Sequence, residues 1–415
     1  MNVCMLVWKY WPIPAGGAEA QCRKLSKSLF SEGVHCTVLT ARLQLCTPAK
    51  ERDGNLTIVR IAVPQIGINR LIAWRDRFFL KKKELVNPFT SLLVTPKTER
   101  KSTRLEDMVC WINCLAFITG ATLWLIFHRR KIDLIHVHIG EWIAGFGGWI
   151  GAFLGTPVIC KASDMPALPR IGTAIPFYSA WDGWRRKIAY VALHQDIKKE
   201  LVDCGVAAEK IFLIPNGVDI PICTAEPGHG DYVLFVGNFT QGSGHKGFDV
   251  LFKAWAKVCS QLPDARLVMA GNGDSSPWQQ LVDHLGCSDN VHFAGYVHCM
   301  EDLYQQAALL TLPSLHEGMS NALLEAQAWG LPAVVSDIPG NRAVVENEIT
   351  GKIVPVGDHV ALAQAIIELL KDPQTRAEMG REARKRIEDQ FGLDKVAGQY
   401  KALYNSLIDQ EPVRS

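Results

Sequence analysis

The sequence predicts an α/β protein made of two doubly wound domains. Along its 415 residues, short apolar runs rich in β-branched residues alternate with helical patterns in two successive series. Near-continuous apolar strands of this kind are typical of parallel sheets that helices cover on both faces. Between the two series, the stretch "NGVDIPICTAEPGHGD" (216–231) is rich in Gly and Pro and has no periodicity. We therefore place a first domain at 1–215 and a second domain at 216–394.

The first domain is predicted from seven apolar runs with helices between most of them. The expected strands are Val3–Trp8, Cys36–Thr40, Leu56–Val63, Leu134–Val137, Val158–Lys161, Ile188–Leu193 and Ile211–Ile214. Helical periodicity is clearest at Ala18–Ser31 and at Asp196–Cys204. This order of elements predicts one largely parallel sheet.

The second domain repeats the pattern. Its expected strands are Tyr232–Val236, Arg266–Ala270, Val291–Phe293, Leu309–Leu312, Ala333–Ser336 and Lys352–Pro355. A helix is predicted at Ser320–Trp329, capped by Ser320 and ended by Gly330, so that it joins two parallel strands in a βαβ unit. A last helical segment, about 395–415, could pack back onto the first domain.

Composition is that of an ordinary globular protein, with 48% hydrophobic residues, 21% charged residues and a net charge of +2. This balance does not suggest a nucleic-acid partner. The twelve cysteines are scattered without a CxxC pair, so neither a zinc site nor a disulfide framework is indicated. The N-terminus has no basic region ahead of its apolar stretch and is interpreted as a core strand. We expect a cytoplasmic protein.

Two segments bear on membrane contact. The stretch Trp111–Phe127 is apolar and lies at the short limit for a span, but Asn113 and Gly120 interrupt it, which favours a buried helix. The segment 70–104 contains ten Lys or Arg against three acidic residues, interleaved with aromatic and leucine side chains. It is either a solvated loop and helix, or a surface for anionic lipid or a charged acceptor. Peripheral membrane contact through 70–131 at the inner face of the membrane therefore stays open.

The loop "HEGMSN" (316–321) is the strongest site candidate. It lies at the carboxyl end of a predicted strand and at the N-terminus of a helix, where open α/β sheets bind ligands and free N–H groups suit an anion. Two carboxylates, Glu317 and Glu325, stand eight residues apart, the second within an apolar helix where an unpaired charge is costly. Glu325 shares a helix face with Asn321 and should line a cleft. The alternative is that Glu325 simply pairs with a nearby Lys or Arg.

These residues resemble a known family. Glu317 and Glu325, within "EGMSNALLEAQAWGLPAVVSDIPG", are similar to the E-x7-E signature of retaining glycosyltransferases of the GT-B fold, most closely family four. Further matching motifs follow in the expected order: "PAGGAEAQCRKLSKSL", "DLIHVHIG", "IPNGVD", "VGNFTQGSGHKGFDVLFKAW", "LVMAGNGD" and "VHFAGYV". The resemblance covers nearly the whole chain. It implies two Rossmann-like domains facing across a cleft, the first binding the acceptor and the second binding the nucleotide sugar.

The resemblance also implies roles for individual residues. Glu317 would hold sugar hydroxyls, Lys246 would neutralise the leaving diphosphate, and His138 would lie near the reacting sugar. Glu325 would accept hydrogen bonds from the ribose hydroxyls. The full donor-binding set implied is Glu325, Gly318, Met319, Ser320, Asn321, Leu324, Asn238, Gly16 and Gly17.

Three positions depart from the family pattern. Asn238 stands where an arginine usually contacts the diphosphate, and losing one such charged hydrogen bond costs about 2–4 kcal/mol if uncompensated. Arg342 is one candidate to replace that charge. In addition, Ala343 stands where glutamate is common, and His194 where serine is common.

The expected activity follows from the resemblance. We expect transfer of a sugar from a nucleotide diphospho-sugar, with UDP favoured by family frequency, to a glycan or lipid-linked acceptor in cell-surface polysaccharide or glycolipid assembly. Attack on the same face as the leaving phosphate would retain the anomeric configuration. No Asp-x-Asp pair occurs, so we expect neither a divalent metal nor another cofactor. The alternatives are another GT-B enzyme such as an epimerase or phosphorylase, or a non-catalytic nucleotide-sugar-binding subunit.

Overall fold

The computed structural model describes residues 1–12, 16–44, 46–64, 104–168, 175–222, 229–239 and 243–409. Within these residues the chain forms one sheet of eight strands and a second sheet of six strands, each flanked by helices. The predicted α/β architecture of two doubly wound domains is confirmed. The chain passes from the first sheet to the second between Leu213 and Tyr232.

The first sheet has the strand order β3-β4-β2-β1-β5-β6-β7-β8. Its strands are β1 (Asn2–Leu6), β2 (His35–Arg42), β3 (Lys50–Asp53), β4 (Leu56–Ala62), β5 (Leu134–Val137), β6 (Val158–Ala162), β7 (Ala189–Ala192) and β8 (Ile211–Leu213). All neighbours are parallel except β3 and β4, which form an antiparallel hairpin. Sequence patterning missed β3 because "KERD" is an edge strand with no apolar face to bury.

Among the described residues, this part of the chain has five helices: α1 (Gly17–Ser31), α2 (Arg104–His128), α3 (Trp142–Leu154), α4 (Tyr178–Arg185) and α5 (Gln195–Asp203). Short 3-10 turns at Arg129–Lys131 and Ala208–Lys210 lead into β5 and β8. Helix α1 packs on β2. It follows β1 in the chain and begins at the carboxyl edge of the sheet.

The second sheet is entirely parallel, in the order β11-β10-β9-β12-β13-β14. Its strands are β9 (Tyr232–Val236), β10 (Leu267–Ala270), β11 (Val291–Gly295), β12 (Ala307–Leu312), β13 (Ala333–Ser336) and β14 (Gly351–Val354). The helices are α6 (Phe248–Gln261), α7 (Ser276–His284), α8 (Glu301–Gln306), α9 (Asn321–Ala328), α10 (Pro339–Arg342), α11 (His359–Lys371), α12 (Pro373–Gln390) and α13 (Leu393–Asp409), with 3-10 turns at Ser243–Lys246 and Ser288–Asn290.

Helix α13 returns to the first domain. Its apolar face, including Val396, Tyr400 and Tyr404, is buried in the same core cluster as β1 and β2. The Tyr404 hydroxyl also lies 2.6 Å from Nδ1 of His136 on β5. The last helix of the chain therefore ties the second domain to the first.

The apolar segment Trp111–Phe127 lies within α2, and it is buried on one side only, not all round as predicted. One side, including Phe117 and Leu125, is buried against the first domain, whereas Leu123 and Phe127 on the other side are 52% and 82% exposed. The sequence is apolar all round, but α2 is an outer layer on the sheet, so only one side meets the core. In the described residues this is the one helix long and apolar enough to cross a membrane, and core helices of soluble proteins meet the same criteria. Most of the basic segment 70–104 lies outside the described residues.

Candidate active site

A cleft of about 650 Å³ lies between the two domains, at the carboxyl ends of both sheets. Nine of the predicted site residues line it: Gly16, Gly17, Asn238, Lys246, Glu317, Met319, Ser320, Asn321 and Glu325. They lie in the loops and helix starts that follow β1, β9 and β12, which is where parallel strands deliver side chains to a common edge.

Two helices begin at the cleft. Helix α1 starts at Gly17 and α9 starts at Asn321. The N-cap residue of α1, Gly16, has no side chain, and the N-cap residue of α9, Ser320, makes no side-chain capping hydrogen bond. The Ser320 hydroxyl thus does not make the predicted capping bond. Unsatisfied N–H groups and the positive ends of two helix dipoles at the same cleft favour an anionic ligand.

Lys246 and Glu317 form an ion pair at the centre of the site. The Ser314 hydroxyl donates to the same Glu317 oxygen, Oε1, at 3.0 Å. Ser314 is itself fixed, because the Ser336 hydroxyl donates to its carbonyl oxygen. The side chains of Lys246 and Glu317 are 19% and 13% exposed, so the pair is partly withdrawn from water. The structure thus places a cation and an oriented carboxylate side by side at the cleft.

Glu325 has two partners. Lys24 Nζ lies 2.8 Å from Oε1, and the Tyr304 hydroxyl donates to Oε2 at 3.0 Å. Burial, together with the neighbouring Glu325 carboxylate, raises the pKa of Tyr304 well above its usual value. The alternative left open by the sequence, that Glu325 pairs with a nearby Lys, is therefore observed. Glu325 nevertheless lines the cleft as well.

Polar contacts close the cleft at the side of α9. Gln21 Nε2 donates to Oδ1 of Asn321 and to the carbonyl oxygen of Gly217, both at 2.9 Å. The Asn321 amide donates to the carbonyl oxygen of Gly17 at 3.1 Å. Asn216 donates to the same Asn321 oxygen at 3.2 Å. One face of α1 is thus hydrogen-bonded to the start of α9, and the domains are in a closed arrangement.

Three predicted site residues do not line the cleft. His138 is fully buried in the first domain, where Nε2 lies 3.4 Å from the Met5 sulfur and its ring stacks on His136. Burial, and the nearby His136 and Lys161, lower the pKa of His138 well below its usual value. Because side chains alternate along β5, His138 points to the same buried side as His136. His138 therefore does not line the cleft in this structure, and its place beside the reacting sugar stays a prediction.

Leu324 and Gly318 occupy other places. Leu324 is fully buried in the core of the second domain and its side chain does not line the cleft, so its assignment to the donor site stays a prediction. Gly318 packs against the backbone of Ser163 in the first domain, with no room for a Cβ atom. Its place is the domain interface beside the cleft.

The structure shows where Asn238, Arg342 and His194 lie. Asn238 lines the cleft, and its Oδ1 accepts from the backbone N–H of Asn272 at 3.2 Å. Arg342 donates to Asp337 at 2.7 Å and does not line the cleft, so it does not replace the missing arginine here. His194 follows β7 and is the N-cap residue of α5, and burial lowers its pKa.

Sequence reasoning missed several residues at the site. Glu325 is contacted by Lys24 and Tyr304, and Asn321 is contacted by Gln21 and Asn216. After the end of β11, the cleft is also lined by Tyr296, Val297 and Met300. The strand-end motif "VHFAGYV" marked that edge but did not single out a side chain. In the part of the chain that the structure describes, no three His, Cys, Asp or Glu side chains are grouped as metal ligands.

Comparison with known proteins identifies related sequences and folds. The family model "Glycosyl transferases group 1" matches residues 230–372, and "Glycosyltransferase Family 4" matches residues 104–221. The chain is 31% identical to a phosphatidyl-myo-inositol mannosyltransferase of Mycobacterium leprae over 264 residues, covering 61% of this chain and 67% of that protein. It is 24% identical to the UDP-Gal:alpha-D-GlcNAc-diphosphoundecaprenol alpha-1,3-galactosyltransferase of Escherichia coli, covering 69% and 79%.

A solved structure shows the same fold. HepE of Anabaena, in complex with UDP and glucose, superposes with a TM-score of 0.70 at 16% identity, covering 98% of this chain and 100% of that chain. The two Rossmann-like domains and the cleft between them are therefore the GT-B arrangement.

Proposed function

The chain belongs to the family-four, group 1 glycosyltransferases with the GT-B fold, and from this we propose that it moves a sugar from a UDP-sugar to a glycan or lipid-linked acceptor. We further propose that the anomeric configuration is retained. The observation that carries the proposal is the cleft at which Lys246, Glu317, Glu325 and the N-termini of α1 and α9 meet. The UDP named for the relatives in E. coli and Anabaena supports the choice of nucleotide.

Each charged group has a place in this reaction. The Lys246 ammonium and the two helix N-termini stabilise the diphosphate as its charge grows. Glu317 holds sugar hydroxyls, and Glu325 accepts from the ribose. The bond between the anomeric carbon and the phosphate oxygen breaks, the acceptor oxygen bonds to the same face of that carbon, and the acceptor proton passes to the departing phosphate. This assignment needs no side chain as general base.

The activity can be tested in two steps. A thermal-shift panel of UDP-, GDP- and ADP-sugars should show the largest rise in Tm with a UDP-sugar, because a ligand that binds only the folded state stabilises it. NMR of the product formed with an α-linked donor and a lipid-linked glycan extract should then show an α-linked sugar. A β-linked product would rule out retention, and no thermal shift with any nucleotide sugar would contradict the donor site.

A chelator and one variant provide the controls. Turnover should persist in excess EDTA, because Lys246 and the helix termini supply the positive charge that a metal would otherwise provide; loss of turnover would disprove metal independence. Asn238 motivates the second candidate, a non-catalytic nucleotide-sugar binder. That alternative is supported if the wild-type chain binds donor without releasing nucleotide while Asn238→Arg releases it.

We also propose a cytoplasmic enzyme that contacts the membrane peripherally. Two features support this membrane contact. Helix α2 exposes apolar side chains, including Leu123 and Phe127, and a basic turn, Arg129–Lys131, follows it. Apolar and basic groups together favour anionic lipid surfaces. A lipid-linked acceptor in cell-surface glycan assembly would be reached from there.

Vesicle binding tests this membrane contact. Replacing Leu123 and Phe127 together by Ser should weaken co-sedimentation with phosphatidylglycerol-containing vesicles by about tenfold or more, since two exposed apolar side chains lose their burial in lipid. Phe30→Ser, which removes a 42% exposed phenylalanine from α1, is the matched control. Equal binding by all three proteins would refute the contact.

A further inference from the structure

The ribose-binding role proposed for Glu325 leaves its two protein partners without a function. Lys24 on α1 of the first domain contacts Oε1 at 2.8 Å, and Tyr304 on α8 of the second domain contacts Oε2 at 3.0 Å. One carboxylate is thus held from two domains. The Lys24 and Glu325 side chains are 31% and 29% exposed, and Lys24 Nζ also lies 3.8 Å from Asp219. Partly exposed ion pairs of this kind contribute little to stability, so stability alone is a weak reason for this arrangement.

Both partners approach Glu325 from the side away from the cleft. Lys24 and Tyr304 line a second cavity of about 740 Å³, and neither lines the cleft, whereas Glu325 lines both. A nucleotide in the cleft would therefore meet Glu325 on the face that Lys24 and Tyr304 leave open. Lys24 does not block the site.

The hydrogen-bonding capacity of Glu325 is sufficient for protein and nucleotide together. An ionised carboxylate offers about four lone-pair positions on its two oxygens. Lys24 occupies one position on Oε1 and Tyr304 occupies one on Oε2. About one position on each oxygen remains, which matches two adjacent ribose hydroxyls as donors.

The anchoring of the two partners differs. Tyr304 is only 2% exposed and belongs to the same domain as Glu325, so its contact persists whatever the domain arrangement. Lys24 follows Gly17 and Gln21 on one face of α1, and those two residues also contact α9 through Asn321. Because α1 and α9 belong to different domains, the contact from Lys24 exists only when the domains are closed.

We propose that Lys24 is a positioning residue for nucleotide recognition. Its ammonium orients the Glu325 carboxylate so that the remaining lone pair on each oxygen faces the ribose hydroxyls, and nucleotide binding is thereby coupled to domain closure. The inference rests on the proposed function, because it takes the ribose of the donor as the ligand of Glu325. If the Lys24–Glu325 ion pair instead had to break before the donor could bind, removing Lys24 would raise the affinity for the nucleotide.

Isothermal titration calorimetry distinguishes these effects. We would measure UDP, GDP and ADP, and then the 2′-deoxy analogue of the diphosphate bound most tightly. Lys24→Met should bind that diphosphate about tenfold more weakly, as expected for losing one charged hydrogen bond. Its preference for ribose over 2′-deoxyribose should also fall toward one, whereas Lys24→Arg should keep both properties.

Two further variants control the measurement. Lys27→Met removes a lysine from the same helix, where it pairs with Asp53 at 2.9 Å, and should leave affinity unchanged. Glu325→Ala should abolish the ribose preference. Equal or tighter binding by Lys24→Met, or weaker binding with an unchanged ribose preference, would overturn the role of Lys24. If the wild-type chain binds none of the three diphosphates, the donor site itself fails, and this inference with it.

Discussion

Replacing Lys246 by Met is expected to lower kcat/KM by about 10²–10³-fold, the range seen when one preorganised charge-stabilising group is removed. Lys246 lines the cleft and is paired with Glu317, so its ammonium is already placed where the diphosphate charge would grow. Because that charge is larger in the transition state than in the bound donor, kcat should fall more than KM rises.

The matched control for Lys246→Met is Lys253→Met. Lys253 lies on α6 and its ammonium is 3.9 Å from Asp249 on the protein surface, so the variant removes the same charge away from the cleft. Steady-state rates of nucleotide release in both variants check the prediction. If the two variants lose the same small amount of activity, Lys246 has no special place in the reaction.

Gly318→Ala is expected to lower kcat/KM by about 100-fold while both domains remain folded. A Cβ atom at position 318 would overlap the carbonyl oxygen of Ser163 and lie 2.9 Å from Cα of Asp164, both backbone atoms of the first domain. The domains would have to separate by an ångström or more at this point. Displacements of about 1 Å within a catalytic arrangement cost on the order of 10²-fold in rate.

Gly398→Ala serves as the control for Gly318→Ala, because a Cβ atom there meets nothing within 4 Å. Small-angle scattering should show a larger radius of gyration for Gly318→Ala only, with a Tm close to that of the wild type. Full activity in Gly318→Ala would mean that the contact with Ser163 is not needed for turnover.

Local sequence signals located some of the candidate site and not the rest. The loop at 316–321 and the N-terminus of α1 were located correctly, because turn glycines and strand ends are encoded in neighbouring residues. His138 was assigned to the cleft by its motif, yet it is buried beside His136 because α13, more than 250 residues later, covers that side of β5. No local pattern contains that information.

The sequence by itself determined the two sheets, most of their strands, and the edge at which Lys246, Glu317 and Asn321 collect, because burial periodicity and strand-end loops are short-range properties. Only the tertiary structure decided what surrounds those groups. Lys24 and Glu325 are 301 residues apart in the chain and 2.8 Å apart in space. Likewise, α2 exposes Phe127 because nothing in the described residues covers its outer side. Contacts between distant elements depend on how the two domains pack against each other. The sequence next to each contacting residue does not contain that information.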